Sequence, residues 1–288
     1  MSLSVYFVLL FQSLIASGTH IVAKVVIHDI EPITLTLLRS VIAAVALLIL
    51  VLIKRTGMLF ERKDVLTIIV LSILAIPVNQ FLFLTAMKYT SPAHAALLYG
   101  TTPALVLLLS WISGAEAPSW KRITGVLIAF LGVVLIVFEK GIDFHSEYMK
   151  GNLLLVVAVI AWAMYTVQGK PLIMKYGAFR VSSASMIIGA LLFLPFGWSN
   201  AKAFDYASLS STHWGEVLYL SIGTSIFAYY LWYYALGKLD ASKVSVFANL
   251  QPVLTVALAI VLLGQTISGT FIVGGMITLS GVIMVQLT

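Results

Sequence analysis

The chain has 288 residues, of which 61% are hydrophobic and only 10% charged, with a mean hydropathy of +1.06. Soluble domains carry about 25% charged residues, so too little polar surface exists here to coat a water-soluble particle. The net charge of +6 would point to nucleic acid if its basic residues formed a patch, but they stand singly or in short clusters between apolar runs, and the absence of cysteine excludes disulfides.

A helix needs about 20 apolar residues to cross the hydrocarbon core. In chain order the hydropathy predicts ten such spans, at residues 4–26, 32–53, 65–87, 93–113, 119–138, 151–170, 180–198, 215–237, 243–263 and 269–287. The first has no basic residue ahead of it and is too long for a signal peptide, so it reads as a span. Its residues Ser13, Ser17, His20 and Lys24 recur at helical spacing and share one face. A polar face on a membrane helix turns into the bundle. Lys24, near the outer end, is expected to snorkel to the interface. His20 lies deeper and titrates near neutral pH; its two readings are a proton relay and a neutral, hydrogen-bonded histidine. His94, just below the outer surface, has the same two readings.

Arg39 lies about two turns into the second span, where a guanidinium must be paired or hydrated. A structural pair with Asp29 or Glu31 is expected; capture of a substrate carboxylate is the other reading. Pro77, Pro103 and Pro252 interrupt the third, fourth and ninth spans and predict kinks. In the aromatic run Phe227 to Tyr234, Trp232, Tyr233 and Tyr234 fit an interfacial belt, while Phe227 and Tyr229 are deep enough for a pocket.

The stretch from Ile76 to Lys140 is echoed from Ser225 to the C-terminus at a constant offset of 149: Ala86 matches Ala235, Pro103 matches Pro252, Ser119 matches Ser268, Gly125 matches Gly274 and Gly132 matches Gly281. Five spans per half, an odd number, would insert the second half (residues 141–288) upside down relative to the first (residues 1–140). Inverted halves are the common architecture of secondary transporters, with the substrate site between them near the midplane. With a cytoplasmic N-terminus, eleven Lys and Arg residues fall in inner loops and four in outer loops, so both termini are expected in the cytoplasm. The paired glycines are expected to let helices pack closely.

The segment Phe83-Leu84-Thr85-Ala86-Met87-Lys88-Tyr89-Thr90-Ser91-Pro92-Ala93-His94-Ala95-Ala96-Leu97, continued by Thr101-Thr102-Pro103 and Glu116, resembles the drug/metabolite transporter superfamily, in particular its ten-helix EamA-type members. The second copy is Tyr233-Tyr234-Ala235-Leu236-Gly237-Lys238-Leu239-Asp240-Ala241-Ser242, followed by Gln251-Pro252 and Leu263-Gly264-Gln265. The chain departs from that pattern in having Ser17-Gly18 where a Trp-Gly pair is usual, and Gln265 in place of an acid. The resemblance implies an all-α integral membrane fold and a central cavity lined by both halves that takes amino acids, other small metabolites, nucleotide sugars or drugs.

Ser17, Asn79, Thr102, Trp162, Tyr165, Thr224, Tyr229 and Gln251 fall near the midplane at about 1.5 Å of rise per residue. With His20, Tyr99 and Gln168 added, Ser17, Asn79, Thr102, Trp162, Tyr165, Tyr229 and Gln251 make up the candidate substrate-binding set; interhelical hydrogen bonding is the plainer reading of each. All eleven acidic residues fall in loops or near span ends. A cation carrier needs a buried anion, so a neutral, zwitterionic or anionic substrate is expected.

No buried acidic pair, metal-ligand spacing or phosphate loop is present, so no catalytic residue, metal or cofactor is expected and a membrane-embedded enzyme is disfavoured. The expectation is a multi-pass, monomeric carrier of the inner (plasma) membrane, with a small molecule and the lipid bilayer as its partners. Amino acid or metabolite export is the specific reading. A nucleobase, sugar or phosphorylated metabolite is the alternative cargo.

Overall fold

The computed structural model describes residues 3–115, 120–137 and 147–286. Glu116, Ser119, Glu139, Lys140 and Asp143 lie outside the described residues, as does the expected boundary between halves at 140/141. The described residues hold no strand. In hydrocarbon the backbone must pair with itself, and a helix does this within one segment whatever its Val and Ile content.

The helical segments are α1 (Leu3–Val26), α2 (Pro32–Ile53), α3 (Arg62–Met87), α4 (Pro92–Ile112), α5 (Trp120–Val137), α6 (Glu147–Tyr176) and α7 (Ala178–Ala203). They continue with α8 (211–236), α9 (Ala241–Leu263) and α10 (Gly269–Gln286). Seven of them, α1 to α4, α6, α7 and α9, are long and apolar enough to cross a membrane, while α5 and α10 contain shorter apolar runs. Large apolar side chains face outward, and polar ones are buried among the apolar core. Leu52, Leu131, Leu191 and Val261 are exposed, whereas Ser17, Arg39, Asn152 and Thr166 are buried. A soluble protein cannot expose so much contiguous apolar surface.

Two helices carry wide π turns. In α3 the π segment is Leu74–Gln80 around Pro77, and in α8 it is Tyr219–Ala228. Proline lacks the N–H that would continue an α-helical ladder, which accounts for the first. In the second, the Ser225 hydroxyl reaches the Leu220 carbonyl at 3.1 Å. α4 and α9 break at related places, at Gly100–Thr101 ahead of Pro103 and in the 3-10 turn Val246–Asn249 ahead of Pro252.

The lysine in α1 does not snorkel. Lys24 Nζ donates to the carbonyls of Met87 at 2.7 Å and Thr90 at 2.9 Å, covering the C-terminal end of α3. Lys170 of α6 does the same for α8, donating to Leu236 at 3.0 Å and Leu239 at 2.5 Å. The acceptors stand at the offset of the sequence echo. A helix C-terminus leaves carbonyls without intrahelical partners and is negative; an ammonium held there gains more than it would in the headgroups.

α5 packs most extensively on α10, and α2 on α7. A Cβ at Gly281 would overlap the backbone of Gly125 and Ala129, and one at Gly132 would overlap Gly274 and Thr278. The paired glycines bring two backbones into direct contact. Gly177, at φ +83°, turns the chain between α6 and α7 in a conformation that a side chain would strain.

Candidate functional site

The irregular stretches converge on a central cavity of about 70 Å3. A water needs roughly 10–15 Å3 of such space, so the cavity has room for about five waters or a solute of that size. α1 contributes Gln12, Ala16, Thr19 and His20; α2 contributes Arg39; α3 contributes Asn79, Gln80 and Phe83; and α4 contributes Tyr99. The wall is completed by Trp162 of α6, Thr224, Ala228 and Tyr229 of α8 and Gln251 of α9.

Asn79 is the strut of the site. Its Nδ2 donates to the Tyr99 hydroxyl at 2.7 Å and to the Ala158 carbonyl at 2.8 Å, and its Oδ1 accepts from the Tyr229 hydroxyl at 3.0 Å. One amide thus joins α3 to α4, α6 and α8. The π segment that carries it leaves Asn79 and Gln80 both facing the cavity, a use to which π-bulges at functional sites are often put.

One wall is aromatic. Trp162 meets Tyr229 edge to face at 5.0 Å, and His20 packs edge to face on Phe83 at 5.2 Å and on Tyr99 at 5.5 Å. Such rings give an apolar surface with a polar handle at the edge. Behind Trp162, Tyr165 stacks on it at 5.7 Å and on Tyr233 at 4.6 Å.

Arg39 is fully buried and pairs with neither Asp29 nor Glu31. Its Nε and one terminal nitrogen donate to the Ser225 hydroxyl at 3.3 and 3.0 Å. Asp29 instead faces His213 at 3.3 Å. The guanidinium is turned inward, into the cavity wall. Among the described residues, two other buried atoms of this lining, Gln12 Oε1 and His20 Nδ1, have no hydrogen-bond partner.

Six candidates from the sequence, His20, Asn79, Tyr99, Trp162, Tyr229 and Gln251, line this cavity, as does Thr224. Four lie elsewhere. Tyr165 is one layer back, with its hydroxyl on Ser185 at 2.9 Å. Ser17 and Thr102 turn their hydroxyls to their own helices, on the carbonyls of Ser13 at 2.8 Å and Tyr99 at 2.6 Å. Gln168 lines a separate cavity of about 1050 Å3 with Ser110, Lys170 and Asp240. Of the aromatic run, Phe227 is exposed, whereas Trp232 and Tyr233 are buried and bonded to Thr166 Oγ1 and the Tyr165 carbonyl, both at 3.0–3.1 Å. They are core residues rather than a belt.

Sequence reasoning missed Gln12, Thr19, Gln80 and Phe83. The face of α1 turned inward is Gln12, Ala16, Thr19 and His20, one residue away from the stripe Ser13, Ser17, His20 and Lys24. That displacement is about 100° of helix rotation. His94 lies at another cavity, of about 400 Å3, where the Ser91 hydroxyl meets its Nδ1 at 2.8 Å and accepts from Gln265 at 2.8 Å. Among the described residues, no three His, Asp or Glu side chains converge as metal ligands.

A model of the EamA-like transporter family matches residues 3–138 and 149–287. The chain belongs to the EamA-like transporter family. This EamA-like protein is 30% identical over 287 residues to an uncharacterized transporter of Archaeoglobus fulgidus, with 98% of this chain and 97% of that one covered. It is 28% identical to a protein of Salmonella typhimurium named "Probable amino-acid metabolite efflux pump", with 91% of this chain and 87% of that one covered. A solved crystal structure shares the fold at a TM-score of 0.71 and 22% identity, covering 100% of this chain and 98% of the other. The EamA-like chain is thus a multi-pass membrane transporter of small molecules.

Proposed function

We propose that this transporter is a secondary carrier that exports small metabolites, amino acids in the first place, by alternating access around the central cavity. The observation that carries the reading is the cavity wall itself, built from α1 to α4 on one side and α6, α8 and α9 on the other. In this reading α1 to α5 and α6 to α10 are two five-span halves, residues 1–140 and 141–288, inserted in opposite senses, with both termini in the cytoplasm of an inner-membrane, monomeric protein. The matched π turns of α3 and α8, and the matched lysine caps, support it. So does the name of the Salmonella relative. The side chains at the cavity bind and orient a solute, and no catalytic step is assigned to them.

The test is counterflow in proteoliposomes loaded with unlabelled amino acids and challenged with the labelled ones. Saturable accumulation of label that Asn79→Ala abolishes is the expected result. Flux that rises linearly with concentration, or chemical conversion of the label, would overturn the carrier reading.

A further inference from the structure

Among the described residues, no carboxylate lies within ion-pair distance of Arg39, whose described hydrogen bonds all go to Ser225. A guanidinium has five N–H donors, so three find no acceptor among the described residues. Leaving a buried charge uncompensated is costly. Ser225 does not supply the missing anion: its single hydrogen is shared between the Leu220 carbonyl at 3.1 Å and Gln80 Oε1 at 3.4 Å.

We infer that the central cavity selects solutes carrying one carboxylate, and that Arg39 is the residue that anchors it. The inference rests on the carrier reading for its cargo and deepens it. A carboxylate fits the planar fork of a guanidinium with two parallel hydrogen bonds. Among the described residues, Arg39 is the only Lys or Arg in the cavity wall, which matches a monoanionic group. A phosphate ester would bring close to two negative charges at neutral pH and find one permanent cation.

The rest of the wall explains how the solute is oriented. Gln12 and His20 are 2% and 3% exposed, and Gln12 Oε1 and His20 Nδ1 have no partner among the described residues. They can accept from an amine or hydroxyl beside the carboxylate. Trp162, Tyr229 and Phe83 face the remaining apolar part. The volume of about 70 Å3 suits a solute with a short side chain.

The experiment uses the purified full-length protein in detergent and reads its melting temperature against four closely matched probes. L-alanine and L-lactate carry a carboxylate with and without an amine; alaninamide and propane-1,2-diol carry none. A ligand that binds the folded state alone raises stability with concentration. A rise with alanine, lactate or both, and none with the two carboxylate-free probes, is the expected result; which acid acts tells whether the amine is required.

Arg39→Gln should weaken that response at least tenfold, and Arg39→Lys, which keeps the charge but loses the fork, should weaken it less. Equal binding of alaninamide and alanine, no response to either acid, or wild-type affinity in the variants would overturn the inference. Should Arg39→Gln fail to fold, Arg39→Lys decides alone, since unchanged affinity there rules out a forked anchor. Counterflow separates the two readings. Carboxylate binding without saturable flux ends the carrier reading and keeps the anchor. Saturable flux of an uncharged solute, equal in Arg39→Lys, does the reverse.

Discussion

The Tyr229 hydroxyl donates to Asn79 Oδ1 at 3.0 Å across 150 residues of sequence. That bond ties the π segment of α3 to α8 at the cavity wall, while the same Asn79 holds Tyr99 and the Ala158 carbonyl. Asn79→Ala removes three buried hydrogen bonds, each contributing about 0.5–1.5 kcal/mol, offset in part by water entering the cavity. Transport is expected to fall at least tenfold while the protein still inserts and purifies as a folded species. Wild-type flux in this variant would remove Asn79 from the site.

Tyr165 acts on the cavity through Trp162, on which it stacks at 5.7 Å. Tyr165→Ala opens a gap behind the indole and should lower transport while leaving expression intact. Tyr165→Phe keeps the stack and loses only the bond to Ser185, so it should stay close to wild type. Equal flux in all three proteins would show that the second aromatic layer is structural alone.

The two lysine caps can be tested as a pair. Lys24→Met and Lys170→Met each remove two hydrogen bonds from a charged donor to helix-end carbonyls. Bonds of that kind contribute about 1.5–3 kcal/mol, reduced here because both ammonium groups are only partly buried. Each single variant should melt several degrees below wild type, and arginine should restore part of the loss. A lysine that only snorkels would show no change on replacement by methionine.

Gly281→Val forces a side chain into the backbone of Gly125 and Ala129. Overpacking of this kind costs about 1–3 kcal/mol or more, because a helix backbone cannot move aside as a side chain can. Gly57→Ala, with open space around it, is the control. Thermal unfolding of the two variants should separate them clearly; equal melting temperatures would mean that α5 and α10 are not in backbone contact.

At the base of α3, Glu61 meets Lys175 at 2.7 Å and Lys63 at 3.1 Å. The hydrogen bond from Lys175, then that from Lys63, holds its carboxyl below the usual glutamate range. A depressed carboxylate contributes stability that is present above the unfolded value of about 4.3 and is lost as pH falls through the lower folded value. The melting temperature of Glu61→Gln should therefore lie below that of wild type at pH 7, and the gap should close as pH drops below about 4. A gap that is unchanged at pH 3 would contradict the ion pair. The side chain is exposed, so the difference is expected to be small.

How far the site was legible differs from residue to residue. Asn79, Trp162 and Tyr229 were readable because a polar or amphipathic side chain at membrane depth needs a partner. Arg39 was visible, but its direction was not: a guanidinium two turns into a helix can reach either the rim or the interior, and only the position of Ser225 on α8 settles the choice. Ser17 and Thr102 lie at the right depth, but hydroxyls can satisfy themselves on their own helix. Gln12 and Thr19 were missed because the rotation of α1 is set by its packing against α8 and α9, which periodicity alone fixes only to within a residue.

By itself, the sequence determined that this chain is a membrane protein of long apolar helices with proline-marked irregularities and no carboxylate deep among them, because the hydrocarbon sets both span length and polarity. The tertiary structure decided which face of each helix turns inward, that Lys24 closes a helix end, and that Arg39 looks into a cavity with no acidic partner among the described residues. Those choices depend on contacts between segments 63 to 205 residues apart, and no local pattern in the chain encodes them.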